Sequence, residues 1–193
     1  MIYVDEDIWG YDLNQSLEQV SEQRRAHALR YVKEEDRRLS VAAYLLLCKG
    51  LEQEYGLSER LEFGYEKNGK PYLIGYPEIH FNLSHTKDVC ACVISDHPVG
   101  IDVERILHQD EEVMRRTMNE EEMAEIDGSN NPEATFIRLW TMKESLLKLT
   151  GEGLCDDLPG LLVNKEDFHF TTETHDGYVL SVCELANKNK NRN

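Results

Sequence analysis

The 193-residue sequence lacks any apolar run approaching the roughly 20 residues needed to cross a bilayer, so no membrane-spanning helix is expected. It opens Met1-Ile2-Tyr3-Val4-Asp5-Glu6-Asp7, with neither the basic start nor the apolar core of a secretory signal, and a cytoplasmic protein is expected. Cysteine is sparse and unpatterned: five residues, at 48, 90, 92, 155 and 183, with no CxxC pair. That spacing argues against a structural zinc site, and the thiols read as reduced core residues. Cys90 and Cys92 flank Ala91 in an expected strand and share one of its faces. Basic residues are also short, 21 against 37 acidic ones, for a formal net charge of −16. Nucleic-acid binding depends on Lys and Arg neutralising phosphates, so this balance argues against it. No low-complexity linker and no residue-level repeat interrupts the chain.

What is present is ordinary for one soluble globular core or two small lobes. Residues 2–4 read as a strand and 16–32 as a helix, with Leu17, Val20, Ala28 and Tyr31 as its apolar positions. A longer helix is expected over 35–55, capped by Gly56. The period then changes to alternation at Leu61, Phe63 and Tyr65, followed by an Asn68-Gly69 turn. Strands are expected at 79–83, 89–94 and 99–106, and two short helices between Asp110 and Asp127, which Asp110 and Asn119 would cap. Asn131-Pro132 opens a helix that ends at Gly151. Strands over 161–170 and 178–185 would close the fold, and the tail 187–193 is expected to be disordered. Helices with mostly antiparallel strands in both halves make the class α+β.

Three places break their local pattern. In Gly100-Ile101-Asp102-Val103-Glu104-Arg105, alternation puts Asp102 and Glu104 on one face, about 7 Å apart along the strand. Like charges so placed repel unless a cation lies between them, and an all-oxygen set favours magnesium over zinc. A solvated outer face is the alternative. In Phe136 to Leu149 an apolar stripe runs through Phe136, Leu139, Met142, Leu146 and Leu149. Lys143 projects into that stripe, where an ammonium needs an anion or a route to water. Glu144 and Lys148 lie four residues apart at its edge, as a functional pair or as a plain surface ion pair. Phe81-Asn82-Leu83-Ser84-His85-Thr86 reads as a polar turn after a strand. There Ser84 and His85 could donate to a phosphate, or the histidine could be structural. No nucleophile-elbow glycine pattern accompanies this Ser-His pair, which argues against hydrolase chemistry of that kind.

In order and spacing, Gly69-Lys70-Pro71, Phe81-Asn82-Leu83-Ser84-His85, Gly100-Ile101-Asp102-Val103-Glu104 and Trp140-Thr141-Met142-Lys143-Glu144-Ser145-Leu146-Leu147-Lys148 resemble the signature of the 4′-phosphopantetheinyl transferase superfamily. The likeness is to the longer, surfactin-synthetase-activator type rather than to the short trimeric holo-acyl-carrier-protein synthase type. It implies two similar α+β lobes related by a pseudo-twofold, with the active site in the cleft between them. The N-terminal lobe would span residues 1–98 and carry contacts to coenzyme A phosphates. The C-terminal lobe would span residues 99–193 and carry the metal ligands and the catalytic helix.

The resemblance implies transfer of 4′-phosphopantetheine from coenzyme A to a serine of an apo acyl or peptidyl carrier protein, with Mg2+, releasing 3′,5′-ADP. Asp102, Glu104 and Glu144 would ligate the metal, and Glu144 would take the serine proton. Lys148 would contact the pyrophosphate, and Ser84 and His85 would bind coenzyme A phosphates. Lys70 would sit near the nucleotide, Lys143 near the phosphates or metal shell, and Arg38 at the 3′-phosphate, with Arg24 and Arg25 as looser matches. Val113, Met114, Arg115, Arg116 and Met118 offer a carrier-docking face or an ordinary amphipathic helix. The carrier contact would be transient and the enzyme a monomer, with no nucleic-acid or membrane partner. Two rivals are a magnesium-dependent phosphatase or nuclease using the same carboxylates, and a silent binding protein for coenzyme A or a carrier.

Overall fold

A computed structural model of the chain describes residues 1–58, 61–153 and 155–186. The first half runs β1 (Ile2–Asp5), α1 (Leu13–Gln19), α2 (Glu22–Ala28), α3 (Glu34–Tyr55), β2 (Phe63–Tyr65), β3 (Pro71–Leu73), β4 (His80–Thr86) and β5 (Val89–Ser95). The second runs β6 (Val99–Arg105), α4 (Glu111–Thr117), α5 (Glu120–Asp127), α6 (Pro132–Thr150), β7 (Phe168–His175) and β8 (Tyr178–Leu185). Apart from the β2–β3 hairpin, the two halves repeat one order: a strand, two short helices, a long helix, then a hairpin. The sheets repeat it too, β1-β5-β4 and β6-β8-β7, all antiparallel, with the last strand of each half at the centre. The α+β class and its two similar lobes are both present.

Each central strand is apolar on both faces because it is covered on both sides. Cys90, Cys92 and Ile94 of β5 turn to the core under α3, while Val89, Ala91 and Val93 turn to the other lobe. There they meet Val99, Ile101 and Val103 of β6 and Leu180 and Val182 of β8, so a continuous apolar seam joins the lobes. All five cysteines are free thiols.

Three expectations need correction. The helix over 16–32 is two helices, α1 and α2, because Ser21 turns extended (φ −62°, ψ 156°) and its side chain accepts from the Arg24 N–H. A serine that caps a new helix competes with continuing the old one. The segment 81–86 is strand β4 rather than a turn, for Ser84 pairs with Ala91 and Thr86 with Val89, and Lys87-Asp88 makes the turn. The strand over 161–170 instead starts at Phe168, since pairing outward from the Asp176-Gly177 turn sets Phe168 opposite Leu185. Leu161 and Leu162 pack into the second lobe's core. The tail 187–193 lies outside the described residues.

The helix that carries the site is closed at both ends. Asn131 caps α6 by accepting from the Ala134 N–H, and Gly151 (φ 74°) turns left-handed and donates to the Leu147 carbonyl. Gly100 lets β6 lie directly against α6, since a Cβ there would overlap the Ser145 carbonyl oxygen. That close approach sets the height of Asp102 and Glu104 against Glu144 and Lys148.

Candidate active site

The edge strands β4 and β6 meet through side chains rather than a backbone ladder. Asn82, Ser84 and Thr86 alternate along β4 and share one face. Asn82 Oδ1 accepts the Ile101 N–H at 3.2 Å, and Ser84 Oγ accepts the Val103 N–H at 3.2 Å. Ser84 donates to Asp102 Oδ1 at 2.9 Å, and Thr86 donates to Glu104 Oε2 at 3.4 Å. The first lobe thus satisfies the open edge of β6 and fixes its two carboxylates together.

Lys148 reaches into this contact from α6. Its Nζ lies 2.6 Å from Asp102 Oδ1 and 2.8 Å from Ser84 Oγ. Asp102 is buried, and its second oxygen, Oδ2, is buried with no partner. Burial and the Asp102 charge push the Glu104 carboxyl up to about 7, with Lys148 pulling the other way. Burial, then Asp102, raises Glu144 as well, again opposed by Lys148. Three carboxylates therefore surround a single ammonium, an excess of negative charge that suits a further cation. All the donors are oxygens, as magnesium prefers. Among the described residues, no three His, Cys, Asp or Glu side chains close into a cage of their own. A metal here would complete its shell with oxygens of water or substrate.

Two cavities flank the carboxylates. One, of about 330 Å3, lies between the Asn68-Gly69-Lys70-Pro71 turn, Asn82 and Leu83 of β4, and Glu144 and Lys148 of α6. The other, of about 600 Å3, has Glu104 on its wall with Thr86, Arg105, Ile106, Phe136 and Trp140.

Other expected residues lie elsewhere. Lys143 is fully buried, and its three donors go to Glu122 Oε2 at 2.7 Å, the Leu158 carbonyl at 2.8 Å and the Thr117 carbonyl at 3.0 Å. It does not face the cleft. The apolar stripe does hold a lysine, but α5 supplies its anion. Lys70 Nζ is turned onto the C-terminal end of α6, at 2.8 Å from the Lys148 carbonyl and 3.2 Å from that of Leu149. Lys70 lines the smaller cavity, and its ammonium ties the β2–β3 turn to the second lobe, helped by Asn68 Nδ2 on the Gly151 carbonyl at 2.8 Å. A cation there complements the helix dipole.

Arg38 donates to the Tyr11 carbonyl and to Glu34 and lies over the Trp9 ring, while its Nε has no partner. Arg24 donates to the Ser40 carbonyl and hydroxyl and also keeps a buried Nε free of partners. His85 is solvent-exposed, yet desolvation by the surrounding protein, then the charges of Lys148 and Arg24, lower its pKa. Arg24 is thus electrically closer to the site than its loose match suggested. On α4, Val113 is exposed and lines the larger cavity, Arg115 pairs with Glu111, and Met118 is buried in the core, so the proposed docking face is narrower. Asn82 and Thr86 were missed. Their signal was the spacing Asn82, Ser84, Thr86, a period of two that a turn assignment concealed.

Comparison with known proteins shows the family. Residues 98–190 match the model of the 4′-phosphopantetheinyl transferase superfamily, and residues 9–97 match a model described as 4′-phosphopantetheinyl transferase, N-terminal. A 4′-phosphopantetheinyl transferase of Aneurinibacillus migulanus is 31% identical over 183 residues, 86% of this chain and 76% of that protein. The chain belongs to the 4′-phosphopantetheinyl transferase superfamily. A transferase of Bacillus subtilis is 29% identical over 181 residues, 92% of this chain and 81% of its own length. One of Nostoc is 29% identical over 163 residues, covering 76% and 69%. Within the superfamily the likeness is to the longer, surfactin-synthetase-activator type.

Proposed function

We propose that this 4′-phosphopantetheinyl transferase binds coenzyme A across the two cavities and passes its phosphopantetheine to a carrier-protein serine at Asp102, Glu104, Glu144 and Lys148. The observation that carries the reading is Lys148, which joins β6 and β4 at one point, bonded to Asp102 and Ser84 with Glu104 and Glu144 beside it. The serine oxygen bonds to the phosphorus that carries pantetheine, the bond from that phosphorus to the ADP oxygen breaks, and 3′,5′-ADP leaves. Glu144, whose carboxyl is made more basic by burial and by the Asp102 charge, takes the proton of the serine hydroxyl. Lys148 holds pyrophosphate oxygens and offsets charge on the leaving group. His85 is proposed to bind phosphate beside it, whereas the Ser84 hydroxyl, already given to Asp102, holds that carboxylate in place.

Magnesium, held by Asp102, Glu104 and Glu144 with substrate phosphate oxygens, would polarise the phosphorus that is attacked. Arg38, with Arg24 nearby in the same lobe, is proposed for the 3′-phosphate. Residues 1–98 are taken as the lobe that supplies coenzyme A contacts and 99–193 as the lobe that supplies metal ligands. The chemistry is assigned to a cytoplasmic monomer that meets its carrier transiently. No helix among the described residues is long and apolar enough to cross a membrane.

The test is direct. Incubating the protein with an apo carrier domain, coenzyme A and Mg2+ should raise the carrier's mass by one phosphopantetheine, and a chelator should prevent it. Release of phosphate or nucleotide without carrier modification would instead indicate a hydrolase.

A further inference from the structure

We propose that Lys148 is the resident cation of the carboxylate site in the free enzyme, so that a divalent cation binds tightly only when phosphate draws the lysine off Asp102. The proposal rests on the transferase reading above and concerns how the same site is loaded.

The two partners of this ion pair differ in freedom. Asp102 is 5% exposed at its side chain and pinned by the Ser84 hydroxyl, which is itself held by the Val103 N–H. Lys148 is 30% exposed at its side chain and enters from the smaller cavity, whose wall it shares with Glu144. The carboxylate is therefore fixed and the ammonium is the part that can move. With the lysine in place, Asp102 Oδ1 already receives two donors, and only the buried Oδ2 is without a partner. A divalent ion on this carboxylate would lie within a few ångströms of the ammonium, and in a desolvated site that repulsion is large.

Removing the lysine without supplying a cation is equally unfavourable, because Glu104 and Glu144 already feel the Asp102 charge. Ammonium and metal are thus alternatives for one carboxylate. A pyrophosphate in the adjoining cavity gives the ammonium another anion to bind. Metal and pyrophosphate then strengthen each other's binding by the same factor, as linkage requires. The absence of a ready-made cage of three side chains among the described residues accords with a site held by its lysine until both arrive.

Mn2+ serves as the probe, with free ion counted by electron paramagnetic resonance. For the wild type, coenzyme A should tighten Mn2+ binding at least ~10-fold, whereas pantetheine, which lacks the pyrophosphate, should change it less than ~2-fold. Lys148→Met without coenzyme A should bind Mn2+ at least ~10-fold tighter than wild type, and its gain from coenzyme A should shrink at least ~5-fold. Lys148→Arg keeps a cation beside Asp102 and should resemble wild type. Lys49→Met removes an exposed charge from α3, at a residue that lines neither cavity, and should shift binding less than ~2-fold.

The proposal is overturned if Lys148→Met alone binds no tighter than wild type, or if Lys49→Met tightens binding as much. Equal Mn2+ affinity of the wild type with and without coenzyme A also overturns it. Should Lys148→Met fail to fold, Lys148→Gln, which removes the charge but keeps a polar side chain, takes its place: it should bind Mn2+ at least ~10-fold tighter than wild type without coenzyme A, and no tightening overturns the proposal. Failure of every variant to bind Mn2+ even with coenzyme A would overturn the metal assignment itself, a different result from loss of coupling.

Discussion

Lys143 Nζ lies 2.7 Å from Glu122 Oε2 inside the second lobe, although Lys143 adjoins Glu144, which faces the cleft. The pair ties α5 to α6, and the Thr117 and Leu158 carbonyls complete the ammonium's bonding. One residue of helix rotation thus separates a buried lysine from a carboxylate that lines the cleft. Burial lowers the Lys143 pKa, while Glu122 raises it in opposition.

Lys143→Met should be strongly destabilising, by about 3–5 kcal/mol, because it strands the Glu122 carboxylate in the core. Denaturant unfolding measures the loss. Adding Glu122→Gln should recover part of it, and the folded fraction should keep its KM for coenzyme A. Near-normal stability with a large rise in that KM would restore Lys143 to the phosphate site.

Asp102→Ala, Glu104→Ala and Glu144→Gln should each abolish carrier modification while the far-ultraviolet circular dichroism stays that of the wild type. Wild-type turnover in any of the three would remove that residue from the proposed site.

Gly100→Ala places a methyl group against the backbone of α6, at the Ser145 carbonyl oxygen and the Leu149 N–H. Neither atom can rotate away, so α6 must shift from β6. We expect a loss of about 1–3 kcal/mol, as for an overpacked core. Transfer should also fall at least ~10-fold, since misplacing reacting groups by an ångström costs about that much or more. Denaturation and single-turnover rates on one sample separate the two effects.

The lowered pKa keeps His85 neutral in the free protein at pH 7. A bound phosphate favours the protonated ring, so coenzyme A binding should take up protons and tighten as pH falls toward the free-state value. Calorimetry at pH 7 in two buffers of unlike ionisation enthalpy should give net uptake that is smaller in His85→Gln. Folding carries the matching sign. The unfolded chain binds this proton more readily, so the contribution of His85 to stability is present above pH 6.5 and lost as pH falls below it.

Several of these relationships were legible in the residues. Alternation at Gly100 to Glu104 put two carboxylates on one face, and Asn131-Pro132 with Gly151 bounded α6 to the residue. The internal repeat was not legible, because the two halves share an element order and strand pairing but no evident residue pattern. The continuation of the strand expected at 79–83 through Thr86 was hidden because its polar face meets another strand rather than water, so its alternation imitated a polar turn. The bonds that Asn82 and Ser84 accept from β6 N–H groups, and those that Ser84 and Thr86 donate to its carboxylates, exist only once β6 lies beside them.

By itself the sequence determined which side chains share a face: Asp102 with Glu104, Glu144 with Lys148, and Lys143 with the core stripe. Periodicity fixes this, since backbone geometry alone aims successive side chains. Tertiary structure alone decided which charge each cation meets. Lys143 found Glu122, Lys70 found the end of α6, and Lys148 found Asp102. An ammonium on a flexible stem binds whatever anion or carbonyl the opposing element presents, and that element is chosen by packing across the whole molecule.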